Sequence, residues 1–448
     1  MFKKSIMALT LSATLLLTTG IASAAPKSTN KGTQATTQYY VDESKLPFNA
    51  LPTYETDRYW GVHNGAGYRI EVPKNWNGEL VLYAHGYRGT GLELTVSNPR
   101  IREHFLKQGY AWAASSYRTN GYDVAQGVKD THALGTLFNG LVGKPKKTYI
   151  TGHSMGGHIT AVAAEHYGST YNGALPMCGV TGDTELFDFF TDYGLVAQAL
   201  SGIEKEDQVF PADENYFAVT VPEMKAKLGI GEANQPDYNI TEEGEVLKAI
   251  TMNLTGGDRP LFNVAWGAYK HFLFDRMPTD PSFIVAPKNV VNTTDSIYQF
   301  DQDPSLSAEE KAFNDSILRI TAHPSSNQKG LTGVPEVQGN HTMPMISLHD
   351  IGDLYVPFHM QQIHAKRSKE NGSELVTRAI RGVGHCDFTP AEEQEAFDDL
   401  VKWVEQGVKP EGDDILNPTL VANPYFGANF TRGYRVYDPL KYLHSSSK

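Results

Sequence analysis

Cysteine is nearly missing from this chain: Cys178 and Cys386 are the only two among 448 residues. Two cannot build a disulfide framework, and they exclude a cysteine-based zinc or iron–sulfur centre. Past the N-terminal segment no apolar run is long enough to span a bilayer. No internal repeat and no long block of one charge sign occurs. Basic residues are in deficit, with 39 Lys and Arg against 51 Asp and Glu, a net charge of −12. An acidic surface argues against nucleic acid and anionic membranes as partners. HExxH, clustered His/Asp, calcium-loop and nucleotide-binding glycine patterns are also missing, so we expect no metal and no cofactor.

What is present suits a large globular protein. The chain is 40% hydrophobic and 20% charged, enough for one big domain with an insertion or for two domains. It opens MFKKSIMALTLSATLLLTTGIASAAPK. Lys3 and Lys4 precede an apolar stretch, and Ala22-Ser23-Ala24 fits a cleavage site, so residues 1–24 read as a signal peptide and the protein as secreted. No cysteine stands near that site to carry a lipid anchor. Residues 25–38 read as a polar, flexible leader.

Strand and helix patterns then alternate. Arg58–Asn64 and Gly67–Trp76 read as an antiparallel pair. Gly78–Gly86, Gly109–Tyr117, Lys146–Gly152 and Tyr171–Gly179 read as strands, and Val124–Leu141 and Met155–Tyr167 as helices. This rhythm implies a mostly parallel sheet covered on both faces. Between residues 180 and 343 strand signals fade and helical ones appear, among them a capping box at Ser307 and Glu310. The rhythm resumes with a strand at Met343–Asp350, a helix at Phe358–Asn371 and a strand at Glu374–Gly382. A last helix is framed by Thr389 as cap, Pro390 at its first position, Glu392 completing a capping box and Gly407 at its end. The tail from Lys409 has no clear regular pattern, but its aromatics (Tyr425, Phe426, Phe430, Tyr434, Tyr437) predict packing rather than disorder.

The stretch YITGHSMGGHITAV carries the chemistry. Gly152-His153-Ser154-Met155-Gly156 fits G-x-S-x-G between a strand and a helix. Such a turn strains the serine and exposes its oxygen at the carboxyl edge of the sheet, beside the helix N-terminus. With this motif in this context the chain resembles the α/β-hydrolase superfamily. The resemblance covers roughly Tyr59–Gly179 and Met343–Val408, and implies an α/β fold of mostly parallel strands flanked by helices, with residues 39–179 and 344–448 as the core and residues 180–343 as a large, mainly helical cap.

The resemblance implies a Ser-Asp-His triad in that chain order. RGVGHCDF supplies His385 as the base. LHDIGDLYVP is similar to the family's acid motif and makes Asp353 the orienting carboxylate, with Asp350, standing where Gly is usual, as the alternative. The oxyanion donors would be the backbone N–H of Met155 and, after His85-Gly86, that of Tyr87. His85, His153 and His158 read as packing or supporting residues. Cys178 and Cys386 both fall at the carboxyl edge of the sheet, and two readings stand: a disulfide that pins the His loop, or two small buried thiols. Aromatics of the insertion, such as Phe187, Phe189, Phe190, Tyr193 and Trp266, line an apolar pocket or form the insertion's own core.

The expected activity is a secreted serine hydrolase of small, oligomeric or polymeric carboxylic esters. A prolyl-peptidase-like peptidase or amidase is the alternative. A catalytically dead binding module is the third class, and the intact Ser154, Asp353 and His385 set argues against it.

Overall fold

The computed structural model describes residues 38–326 and 329–440. The segments read as signal peptide and leader lie outside the described residues, Gln38 excepted. In chain order the strands are β1 (Tyr40–Val41), β2 (Thr56–His63), β3 (Ala66–Pro73), β4 (Glu79–Ala84), β5 (Glu93–Leu94), β6 (Ala111–Ser115), β7 (Lys147–His153), β8 (Gly173–Met177), β9 (Met345–Asp350) and β10 (Leu375–Ile380). Eight of them form one sheet in the order β10-β9-β8-β7-β4-β6-β3-β2. The β2–β3 and β3–β6 pairs are antiparallel and the remaining pairs of this sheet are parallel.

Helices α1 (Arg102–Lys107), α2 (Val124–Leu141) and α3 (Met155–His166) are interleaved with the first strands. Five more, α4 (Glu185–Leu200), α5 (Val221–Lys227), α6 (Glu242–Leu254), α7 (Phe262–Phe274) and α8 (Ala308–Asp315), lie between β8 and β9. Then come α9 (His359–Asn371), α10 (Pro390–Gln406) and the short α11 (Pro418–Val421).

The two-residue period of β4 explains the layering. Leu80, Leu82 and Ala84 join one apolar cluster with Leu134 and Phe138 of α2 and Ile159 and Val162 of α3. Val81 and Tyr83 point the other way, into a second cluster with Phe105 of α1 and Phe397 and Leu400 of α10. Each large aliphatic buried this way contributes roughly 1.5–3 kcal/mol. The capping box of Thr389 and Glu392 starts α10, and Gly407, at φ 69°, ends it in the left-handed conformation that favours glycine.

Among the described residues, 180–343 hold helices and loops and no strand. Phe187, Leu195, Trp266 and Phe274 of this stretch belong to the same cluster as the α2–α3 face of the sheet. The insertion therefore shares its core with the sheet.

Three of the five tail aromatics pack as expected: Phe426 is buried, and Phe430 and Tyr437 lie against the apolar clusters. Tyr425 and Tyr434 are exposed, and Phe426 and Val421 are buried. Ionic anchors add to this packing. Arg381 holds Asp438 through two contacts of 2.7 and 2.8 Å, both side chains buried. Arg435 grips Glu392 at 3.0 Å. A planar guanidinium matched to a carboxylate fixes irregular chain that offers no repeating apolar face.

Candidate active site

Ser154 stands alone between the end of β7 and the start of α3, at φ 59° and ψ −124°. For a residue with a side chain such a conformation costs on the order of 1–3 kcal/mol. The neighbours explain why it persists. A Cβ on Gly152 would fall 2.3 Å from Gly156 O, and one on Gly156 would fall 2.1 Å from Ala84 O. Only glycine fits either place, and the packing that excludes a Cβ holds the turn. The Ser154 N–H donates to Met177 O at 3.0 Å, tying the turn to the end of β8.

His385 lies on the loop between β10 and α10, and Asp353 on the turn after β9. His385 Nδ1 is 2.6 Å from Asp353 Oδ2. Asp353 Oδ1 accepts the N–H groups of Tyr355 at 2.8 Å and Val356 at 3.1 Å, so the buried carboxylate is fully aimed. The two loops are also stitched by the Gly352 N–H to Gly382 O at 2.9 Å.

Asp350 does not reach His385. Its Oδ2 accepts the Asp387 N–H at 2.9 Å and its buried Oδ1 has no partner. Burial first, then the charges of Asp353 and Asp387, push its carboxyl well above the usual range. Burial thus works against its ionised form. Asp353 is the residue that meets the base.

Cys178 and Cys386 are disulfide-bonded, with Cα atoms 5.4 Å apart. The bond joins the residue after β8 to the residue after His385. It thereby ties the His385 loop to the strand end that also receives the Ser154 N–H. No hydrogen bond links Ser154 Oγ to His385, whose Nε2 faces Cys386 Sγ at 3.6 Å. Catalytic contacts of this type often tighten only with substrate bound.

The loop after β4 runs beside Ser154. A Cβ on Gly86 would sit 3.2 Å from Ser154 Cβ and 3.2 Å from His153 O, so the backbone leading to Tyr87 passes close to the serine. The Met155 N–H is at the first turn of α3, where amides lack intrahelical acceptors. His85 supports this loop: its ring nitrogens lie 2.7 Å from Gly86 O and 3.2 Å from Ser116 O, and it stacks on Tyr117. Burial lowers its pKa to about 3. His153 meets Glu393 at 3.2 Å, and His158 meets Pro335 O at 2.7 Å and Tyr122 at 3.1 Å.

The wall beside His385 is aromatic. Tyr355 packs edge-on at 5.0 Å between ring centroids, and Phe272 of α7 and Phe190 of α4 pack on Tyr355. Arg276 lies over Phe272 at 4.4 Å, and its buried Nε–H has no hydrogen-bond acceptor. Of the insertion aromatics singled out in sequence, only Phe190 reaches this wall. Phe187 stacks on Phe283, Phe189 faces His359, Tyr193 packs on Phe274, and Trp266 donates to Asp237. Tyr355 sits inside the LHDIGDLYVP motif, which was its one signal. Phe272 and Arg276 carry no motif at all.

A strained serine, an imidazole held by a buried carboxylate and free amides nearby suit nucleophilic acyl transfer. No family model matches the chain. An o-phthalyl amidase from Xanthobacter agilis is 24% identical over 422 residues, spanning 80% of this chain and 90% of that protein. Among solved structures, feruloyl esterase B from Aspergillus oryzae covers 82% of this chain and 84% of its own, at 13% identity and a TM-score of 0.46. An acylaminoacyl peptidase from Pyrococcus horikoshii covers 81% of this chain and 43% of its own, at 11% identity and a TM-score of 0.40. The sheet order, the glycine-bounded elbow after β7 and the order Ser154, Asp353, His385 define the class. That class is the α/β-hydrolase fold, a mostly parallel sheet flanked by helices.

Proposed function

We propose that the protein is an exported serine hydrolase that cleaves carboxylic esters through an acyl-enzyme on Ser154. The observation that carries this reading is the 2.6 Å contact of Asp353 with His385, on a loop bonded to the strand end beside the elbow. Ser154 Oγ attacks the ester carbonyl while His385 Nε2 takes its proton. Asp353 holds the imidazole tautomer and stabilises the imidazolium. The amides of Met155 and Tyr87 receive the oxyanion. His385 returns the proton to the leaving alkoxide, and water then releases the acid by the same steps. Residues 180–343 act as the cap and give Phe190 and Phe272 to the substrate wall. Export is supported by the leader sequence and by the disulfide, which persists in oxidising compartments.

A second reading, amide hydrolysis, is favoured by the amidase relative. Arg276 fits that reading: a guanidinium with an unmet N–H beside an aromatic wall suits an aromatic acyl group bearing a carboxylate.

The test is turnover of a p-nitrophenyl ester series against acyl- and aminoacyl-anilides, including an o-phthalyl amide, with Ser154→Ala alongside. Ester turnover that falls roughly 10⁴-fold or more in Ser154→Ala supports the triad. Anilide or phthalyl-amide turnover above that of every ester moves the assignment to an amidase. Activity that survives Ser154→Ala refutes both readings.

A further inference from the structure

Away from the triad, three side chains from distant parts of the chain converge. Glu165 is near the end of α3, His341 lies in the segment that leads into β9, and His364 is in α9. One donor atom from each lies within 4.8 Å of the other two. Both imidazoles are buried, His341 at 3% and His364 at 0% exposure.

Their hydrogen bonding is incomplete in a specific way. His341 Nε2 lies 3.2 Å from Glu374 O. A carbonyl only accepts, so Nε2 carries the proton and Nδ1 is left as a bare lone pair. That Nδ1 is buried without a partner. On His364 neither ring nitrogen has a partner. Buried polar atoms are rarely left unmet, and each such case calls for an explanation. Glu165, by contrast, is already oriented. Its Oε1 accepts the Gly339 N–H at 2.6 Å and its Oε2 the Gln338 N–H at 3.0 Å. The Asn340 N–H adds a third backbone contact, and of the four lone pairs of the carboxylate at least one remains open.

We propose that Glu165, His341 and His364 form a metal site, and that its ion is zinc. Two imidazoles and a carboxylate are a zinc donor set. The carbonyl that fixes the His341 tautomer and the amides that aim Glu165 are the kind of outer partners metal ligands carry. Tetrahedral zinc holds its donors about 3.4 Å apart, so zinc binding draws the three donors together from the spacing seen. The expectation of no metal rested on local motifs, and these three residues share none.

The site joins α3, whose first turn follows Ser154, to α9 and to the segment returning from the insertion. The same seam is already stitched by the Val337 N–H to Asp183 Oδ2 at 3.1 Å and by Arg367, which contacts both Asp183 and Val337 O. Zinc there fastens the end of the insertion to the nucleophile helix.

The test uses the full chain, purified without chelator. Metal content is measured first. The protein is then stripped and titrated with zinc sulfate, and separately with cobalt(II) chloride followed by visible absorption. We expect one zinc per chain, cobalt bands of a nitrogen–oxygen tetrahedral site, and a thermal midpoint that rises with zinc. Glu165→Gln and His341→Leu each weaken zinc binding by at least roughly 10-fold. Stripped wild-type protein that takes up no zinc overturns the proposal, as does uptake unchanged in Glu165→Gln. Should His341→Leu fail to fold, the wild-type titration and the half-buried Glu165 decide the matter. None of these readouts depends on ester or amide turnover, so the triad reading stands or falls separately.

Discussion

Asp353 Oδ2 lies 2.6 Å from His385 Nδ1, whereas Asp350, three positions earlier on the same strand end, meets only the Asp387 N–H. The two carboxyls have opposite characters. One is aimed by the amides of Tyr355 and Val356, and burial pushes the other's carboxyl well above the usual range. Asp353→Asn is expected to lower kcat by roughly 10⁴-fold, because the imidazole loses its tautomer and its counter-charge. Asp350→Asn keeps the shape and an acceptor for the Asp387 N–H without touching the base, and kcat should stay within a few-fold. Steady-state kinetics on the best ester checks both. A large loss in Asp350→Asn with little in Asp353→Asn would reverse the assignment.

The disulfide makes a second expectation. Cys178 and Cys386 are 208 residues apart in sequence, so their bond closes a long loop and restricts the unfolded chain. Removing it with Cys178→Ala and Cys386→Ala together should cost roughly 2–5 kcal/mol, read from urea unfolding. Cys386 also directly follows His385. The same variant should therefore lose kcat with KM little changed, since the base is misplaced while the substrate wall remains. Full kcat at reduced stability would make the bond a fold staple only.

Why some of this was legible in sequence follows from range. The elbow is local: Gly152, Ser154 and Gly156 stand between a strand and a helix, and the close approach to Ala84 O demands those glycines. The capping box of α10 is equally local. The choice between Asp350 and Asp353 was not, because both sit in one motif and only the fold of the β9 turn decides which faces His385. The insertion's aromatics look alike in sequence, yet of the five singled out there only Phe190 reaches Tyr355, where Phe272 joins it. Helix α1 escaped notice for a related reason. Six residues show little periodicity, and Arg102 within it is buried against Glu71 at 2.5 Å, so a charge occupies an inward position. The Glu165, His341 and His364 cluster is invisible to any spacing rule.

Asp188 of α4 gives a test in pH. Burial pushes its carboxyl up to about 9, against the opposing hydrogen bond from the Asn292 N–H at 2.7 Å. A carboxyl raised on folding favours the folded state fully only below its unfolded value of about 3.9. That contribution is lost as pH rises from there towards 9, because the unfolded chain ionises freely and the folded one does not. Asp188→Asn keeps an oxygen for Asn292 and removes the ionisation. Its stability relative to wild type should climb steadily between pH 5 and about 8.5, measured as urea midpoints across that window. A constant difference would mean that Asp188 titrates alike in both states.

Arg276 offers the last test, because its position ties charge to the substrate wall. Its guanidinium rests on Phe272, Phe272 packs on Tyr355, and Tyr355 packs on His385. A buried Nε–H without an acceptor is a donor held ready in a low-dielectric place. Arg276→Met keeps apolar bulk over Phe272 and removes the charge. For an aromatic acyl group carrying an ortho carboxylate, KM should rise roughly 10-fold or more, the scale of one hydrogen bond to a charged group. For a neutral acetyl or butyryl ester, KM should be nearly unchanged, since the wall itself is intact. An equal rise for both substrates would mean that Arg276 supports the wall, and the preference for an anionic acyl group would have to come from elsewhere.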